Sequence, residues 1–199
     1  MRLALQLLRK GQVTSADRDS ALQLIDQQID RLLMGIDDLT DLLRLNASSF
    51  ALRLATEDLN FAMDIVCQQS SLLKTLEERQ QTLRCQPADH PVMVNHDSGR
   101  MVALLEYLIE RSGAHAPKGA TLTLELQQDG ERARLRVAGA NRSLAADADL
   151  AYITAASSDS PGKPQAKAIL MREIARLSHA ALSVDETTGI TLSLPIWQQ

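Results

Sequence analysis

Apolar residues recur near the start of the chain at Leu22, Ile25, Ile29, Leu32, Ile36, Leu39 and Leu43. Their spacing alternates between three and four, the seam of a heptad helix, and Leu33 and Leu42 widen the stripe as a four-helix bundle core requires. Thr14 can cap this helix, with Asp17 three residues on. Before it, Leu3, Leu5, Leu7 and Leu8 precede Gly11, a pattern that predicts a short helix stopped by glycine. So short an arm cannot cover its longer partner. The pattern therefore predicts a helical hairpin that pairs with a second copy, giving a dimeric four-helix bundle with those seven seam residues as the dimer interface.

After Asn46-Ala47-Ser48-Ser49 the texture changes. Phe50, Leu52 and Leu54 alternate and predict a short strand, and Thr56 can cap a helix with Leu59, Met63, Val66 and Leu73 on one face. Thr82 to Cys85 and Val92 to Val94 read as two short strands around Pro87 to Pro91. Ser98 to Arg111 reads as a helix, with Met101, Leu104, Leu105, Leu108 and Ile109 apolar. Leu122, Leu124 and Leu126, then Asp129-Gly130, then Ala133, Leu135 and Val137 form a hairpin pattern. Residues 139 to 164 are small and polar and read mostly as loop. A helix over about Gln165 to Ser178 follows, then strands at Leu182 to Val184 and at Ile190, Leu192 and Leu194. The expected fold class is α+β: the hairpin over residues 1–48, then an α/β sandwich over 49–199 with helices on one face of a mixed sheet.

Composition narrows the function classes. The 199-residue chain is 45% hydrophobic and 23% charged, a globular balance. A net charge of -4 and 3% aromatic content give no basic footprint or stacking platform for nucleic acid. No apolar run reaches the ~20 residues of a membrane span, and a cytoplasmic protein is expected. Cys67 and Cys85 have no metal-ligand spacing; a disulfide is open to them, but two thiols in a reducing compartment are expected. His90, His96, His115 and His179 are dispersed, have no zinc-site spacing and are expected at the surface. Asp147 and Asp149 lack calcium-loop spacing, and Ser112-Gly113 lacks a nucleophile elbow, so no catalytic or metal residues are assigned.

Several stretches resemble the two-component sensor histidine kinases. Leu39-Thr40-Asp41-Leu42-Leu43-Arg44-Leu45 resembles the end of that family's second bundle helix, and Thr56-Glu57-Asp58-Leu59 the entry to its ATP-binding domain. His96-Asp97 with Arg100 resembles the approach to the helix carrying the N box. The closest match is Ala168 to Leu177, Leu182-Ser183-Val184, then Gly189-Ile190-Thr191-Leu192-Ser193-Leu194-Pro195. The resemblance implies a dimerisation hairpin joined to an ATPase domain of the GHKL type.

The same resemblance marks what is altered. No histidine lies on the hairpin, so the family's phospho-accepting histidine is either missing or upstream of Met1. Glu106-Tyr107-Leu108-Ile109-Glu110-Arg111 stands where the family's asparagines hold magnesium. Glutamate can ligate that ion, but two glutamates on a solvated helix face are the expected reading of Glu106 and Glu110. Gly139 stands at the adenine-binding aspartate, and losing a hydrogen bond to a charged acceptor costs about 1.5–3 kcal/mol. Asn141 and Ser143 replace glycines that admit the ligand, and Gly162 alone remains of the glycine-rich lid, where Pro164 also removes an amide donor. Lys163 and Lys167 are expected to be solvated.

The resemblance thus implies a signal-transduction module of histidine-kinase descent that dimerises and binds a partner, a response regulator or a sensor kinase, without ATP or magnesium. Its alternatives are a histidine phosphotransferase, or the catalytic portion of a divergent sensor kinase whose histidine precedes Met1; only a pocket that functions despite these substitutions would take ATP and magnesium.

Overall fold

The computed structural model describes residues 15–139, 144–155, 164–185 and 187–197. The expected first helix at Leu3 to Leu8 and the caps at Gly11 and Thr14 lie outside the described residues, as do Asn141, Ser143, Gly162 and Lys163. The chain divides into two units after Phe50.

In the first unit, Ser15–Asn46 is one α-helix, α1. Leu22, Ile29, Leu32, Ile36, Leu39 and Leu43 are 44 to 69% exposed, and Ile25 is half-buried. This seam is a continuous apolar stripe without a partner among the described residues. Ala21 and Asp41, by contrast, are buried on the same helix.

The second unit holds β1 (Ala55–Asp58), α2 (Leu59–Cys67), α3 (Ser70–Glu78), β2 (Thr82–Gln86), β3 (Met93–His96) and α4 (Ser98–His115). It continues with β4 (Thr121–Asp129), β5 (Arg132–Ala138), α5 (Ala148–Thr154), α6 (Ala166–Leu177), β6 (Ala181–Asp185) and β7 (Gly189–Pro195). Five strands form a mixed sheet in the order β2-β4-β5-β7-β6, in which only the β2–β4 pair is parallel. Register aligns the apolar rows: Leu124 faces Val137, which faces Ile190, and Leu126 faces Leu135, which faces Leu192. All six are buried, so the period-two pattern of each strand becomes one apolar sheet face. Leu104, Leu105, Leu108 and Ile109 of α4, with Leu170, Met171 and Ile174 of α6, supply the buried helical layer.

Several expectations need correction. Phe50, Leu52 and Leu54 alternate but form no strand; the strand begins at Ala55 and pairs with β3, antiparallel, in a separate two-stranded sheet. Thr56 therefore sits in β1 and caps nothing. Asp58 caps α2, its Oδ1 accepting from the Asn60 amide at 3.0 Å and the Val92 amide at 2.9 Å. The helix expected through Leu73 breaks after Cys67 into α2 and α3, where Leu72 and Leu76 are buried and Leu73 is exposed. The strands flanking Pro87 to Pro91 belong to different sheets. Residues 148–154, read as loop, form α5, capped by Asp147. Cys67 and Cys85 are joined in a disulfide, with Cα atoms 6.4 Å apart, rather than remaining thiols.

Candidate functional site

The ATP-site positions implied by the resemblance fall at the end of β5, along α4 and at the start of α6. Gly139 follows β5 with φ +104°, a region that side chains rarely adopt. A Cβ here would lie 2.4 Å from the carbonyl oxygen of Thr121 at the start of β4. The backbone itself therefore leaves no room for an adenine-accepting carboxylate at this position.

On α4, Asp97 fixes the start of the helix by accepting from the Arg100 amide at 3.1 Å and, at its other oxygen, from the Arg53 amide at 2.8 Å. The helix buries its apolar stripe against the sheet, and a second row at Tyr107, Arg111 and His115, each four residues from the next, faces α5 and α6. Glu106 is 7% exposed, which corrects the expected solvated face. Glu110 is half-buried and pairs with Lys167 at 3.6 Å. Lys167 also stands 5.7 Å from the centre of the Tyr107 ring, so it is not a free solvated cation.

The α5 segment meets this row through two buried aspartates. Asp147 Oδ1 accepts from the amides of Asp149 at 2.9 Å and Leu150 at 3.0 Å, capping α5. Its Oδ2 accepts from the Arg111 guanidinium and lies 2.5 Å from His115 Nε2. Burial alone would raise the Asp147 carboxyl; the bonds from His115, the Leu150 amide and Arg111 outweigh it and hold it below the ordinary carboxylate value. Asp149 lies 3.6 Å from Arg111 through Oδ2 and accepts the Gln165 amide at 2.9 Å through Oδ1, tying α5 to the start of α6. Burial pushes the Tyr107 phenol far above its ordinary value, and the Asp149 charge adds to the shift, so this hydroxyl stays protonated. Arg172 of α6 donates to the Ala155 carbonyl at 3.1 Å and stacks 4.7 Å over the Tyr152 ring.

Beside Glu110 on α4, Arg111 and His115 form an internal ion cluster with Asp147 and Asp149. Through Asp147 and Asp149, this cluster ties α5 and the start of α6 to α4. At the described positions, Gly139 offers no side chain to accept from adenine, and Glu106 and Glu110 of α4 bring carboxylates where the resemblance implies neutral oxygen ligands. Among the described residues no group of three or more His, Cys, Asp or Glu side chains is placed to hold a metal ion. The dispersed histidines divide: His90 and His179 are exposed, but His96 is fully buried and His115 joins the cluster. Sequence reading passed over Arg111, His115, Asp147 and Asp149 as a unit. The four-residue steps from Tyr107 to His115 and the capping pattern at Asp147 were the available signals.

No family model matches the chain, and no curated protein matches it by sequence. Solved structures do. The chain is 14% identical to histidine kinase AdeS of Acinetobacter baumannii over 99% of this chain and 93% of that one, with a TM-score of 0.63. It is 19% identical to full-length ShkA, solved in complex with AMPPNP, over 99% of this chain but 42% of that one, with a TM-score of 0.64. The cytoplasmic segment of histidine kinase QseC is 13% identical over 86% of this chain and 95% of that one, with a TM-score of 0.53. The second unit therefore has the histidine-kinase-like ATPase fold. Among the described residues no helix is long and apolar enough to cross a membrane.

Proposed function

We infer that this chain is a two-component signalling module that has kept the kinase scaffold, dimerises through α1 and engages a partner protein without using ATP. The observation that carries this reading is the backbone at Gly139, where φ is +104° and a Cβ would stand 2.4 Å from Thr121 O. An adenine-accepting side chain at position 139 is not compatible with that geometry. The Arg111–Asp147–His115 cluster supports it further, because the Arg111 guanidinium is already paired with Asp147 within the chain.

The assembly half of the proposal is supported by the exposed seam of α1. Six large apolar residues at heptad spacing on a 32-residue helix make a surface that a second copy can bury. A response regulator is the expected partner class, given the kinase-like fold. Sedimentation across the micromolar range tests the scaffold: the chain should run as a dimer, and Ile36→Lys with Leu39→Lys should make it a monomer. A chain that stays monomeric at 100 times its working concentration, or a dimer indifferent to both substitutions, would overturn this reading.

A further inference from the structure

We propose that the Cys67–Cys85 disulfide is a thiol-exchange site, a latch that a small thiol or dithiol opens in the folded protein and that controls the α3–β2 edge of the sheet. This goes beyond the signalling assignment and does not depend on it.

The bond joins the C-terminal end of a helix to an edge strand on which that helix packs. Cys67 is the last residue of α2, and Cys85 lies in β2 with its side chain turned toward the helical layer, as the alternation of Leu83 and Cys85 requires. β2 is an edge strand held on one side only, by its parallel pairing with β4. The enclosed stretch contains the whole of α3. Besides the disulfide and the packing of Leu72 and Leu76, this edge is held just beyond β2 by Asn60, whose Oδ1 accepts from the Ala88 amide at 3.0 Å, and at its far end by a second set of bonds. Gln81 Nε2 donates to the carbonyls of Gly113, Ala116 and Pro117, and the Gly119 amide donates to the Gln80 carbonyl. Opening the bond therefore loosens α3 and β2 locally and leaves the central strands intact.

Both cysteines are half-buried rather than enclosed, as attack by a small thiolate requires. The electronegative C-terminal end of α2 disfavours a thiolate at Cys67, which makes Cys85 the better leaving group. The thiolate attacks Cys67 Sγ, a mixed disulfide forms there, and Cys85 departs as a thiolate that takes a proton from water. A second thiol then attacks the mixed disulfide, releasing Cys67 as a thiol and the reductant as its own disulfide. Two electrons and two protons pass to the protein.

The test uses the full chain under native conditions. After dithiothreitol and then iodoacetamide, intact mass should show two alkyl groups on folded protein, and none when the reductant is omitted. Hydrogen exchange at the amides of α3 and β2 should accelerate at least tenfold on reduction, with β5 and β7 unchanged. The double variants Cys67→Ser/Cys85→Ser and Cys67→Ala/Cys85→Ala should show the fast pattern whatever the reductant. Alkylation without reductant, alkylation only in denaturant, or exchange that is unchanged or accelerated uniformly would each overturn the proposal.

Discussion

Replacing Asp147 by alanine should cost this fold about 3 kcal/mol, and the loss divides into two separable parts. The first is the cap: Oδ1 satisfies two amides of α5, and removing such a cap costs about 1 kcal/mol. The second is the carboxylate that Arg111 and His115 share. Hydrogen bonds to charged groups contribute about 1.5–3 kcal/mol when buried. That contribution is discounted here, because the Arg111 side chain is 25% exposed and keeps Asp149 at 3.6 Å; about 2 kcal/mol remains. For a unit of this size, 3 kcal/mol lowers Tm by about 6–12 °C. Asp147→Asn keeps the cap acceptor but loses the charge, so it should fall between wild type and alanine. Urea unfolding of the three proteins measures the difference directly. The pH dependence follows from the depressed carboxyl of Asp147. Its contribution is fully present above the unfolded-state value near ~4 and is lost as pH falls through the lower folded value. The gap between wild type and Asp147→Ala should therefore close in acid. A loss below about 0.5 kcal/mol at neutral pH, or a gap that widens in acid, would refute the cluster as a structural clamp.

Three further outcomes are expected. Gly139→Asp should destabilise the fold by about 2–4 kcal/mol in urea unfolding, since it combines a left-handed backbone with a clash on Thr121, and it should not create nucleotide affinity. Gly189→Ala should behave alike, because its Cβ would meet Val137 O at 2.1 Å with φ at +93°. Reduction of Cys67–Cys85, which span 18 residues, should lower unfolding free energy by about 3 kcal/mol on loop-closure grounds, read as a lower urea midpoint in dithiothreitol.

Legibility in the sequence followed the range of each interaction. The β4–β5 hairpin was readable because its alternation and its Asp129-Gly130 turn are local, and the same holds for the apolar stripe of α4. β1 and β3 pair across the whole of α2, α3 and β2, and nothing in either short segment says which strand it will meet. The alternation at Phe50 to Leu54 misled for the same reason: it has no ladder partner. α5 is a seven-residue helix of mostly small residues, too short for periodicity to register, and its capping aspartate was the better clue. The buried charges of the site were the hardest to foresee. Arg111, His115, Asp147 and Asp149 come from two separated segments, and each alone looks like an ordinary surface residue. The disulfide likewise needs the α2 terminus and an inward position of β2 to come together.

The proposed loss of ATP use on a kinase-like fold is open to a simple test. The most direct measurement is thermal unfolding with and without millimolar ATP or ADP and magnesium. A ligand bound only by the folded state adds about 2.7 kcal/mol at a hundredfold excess over its Kd. The midpoint should be unchanged in every combination. A clear rise that requires magnesium would contradict that loss and return the chain to the working kinases.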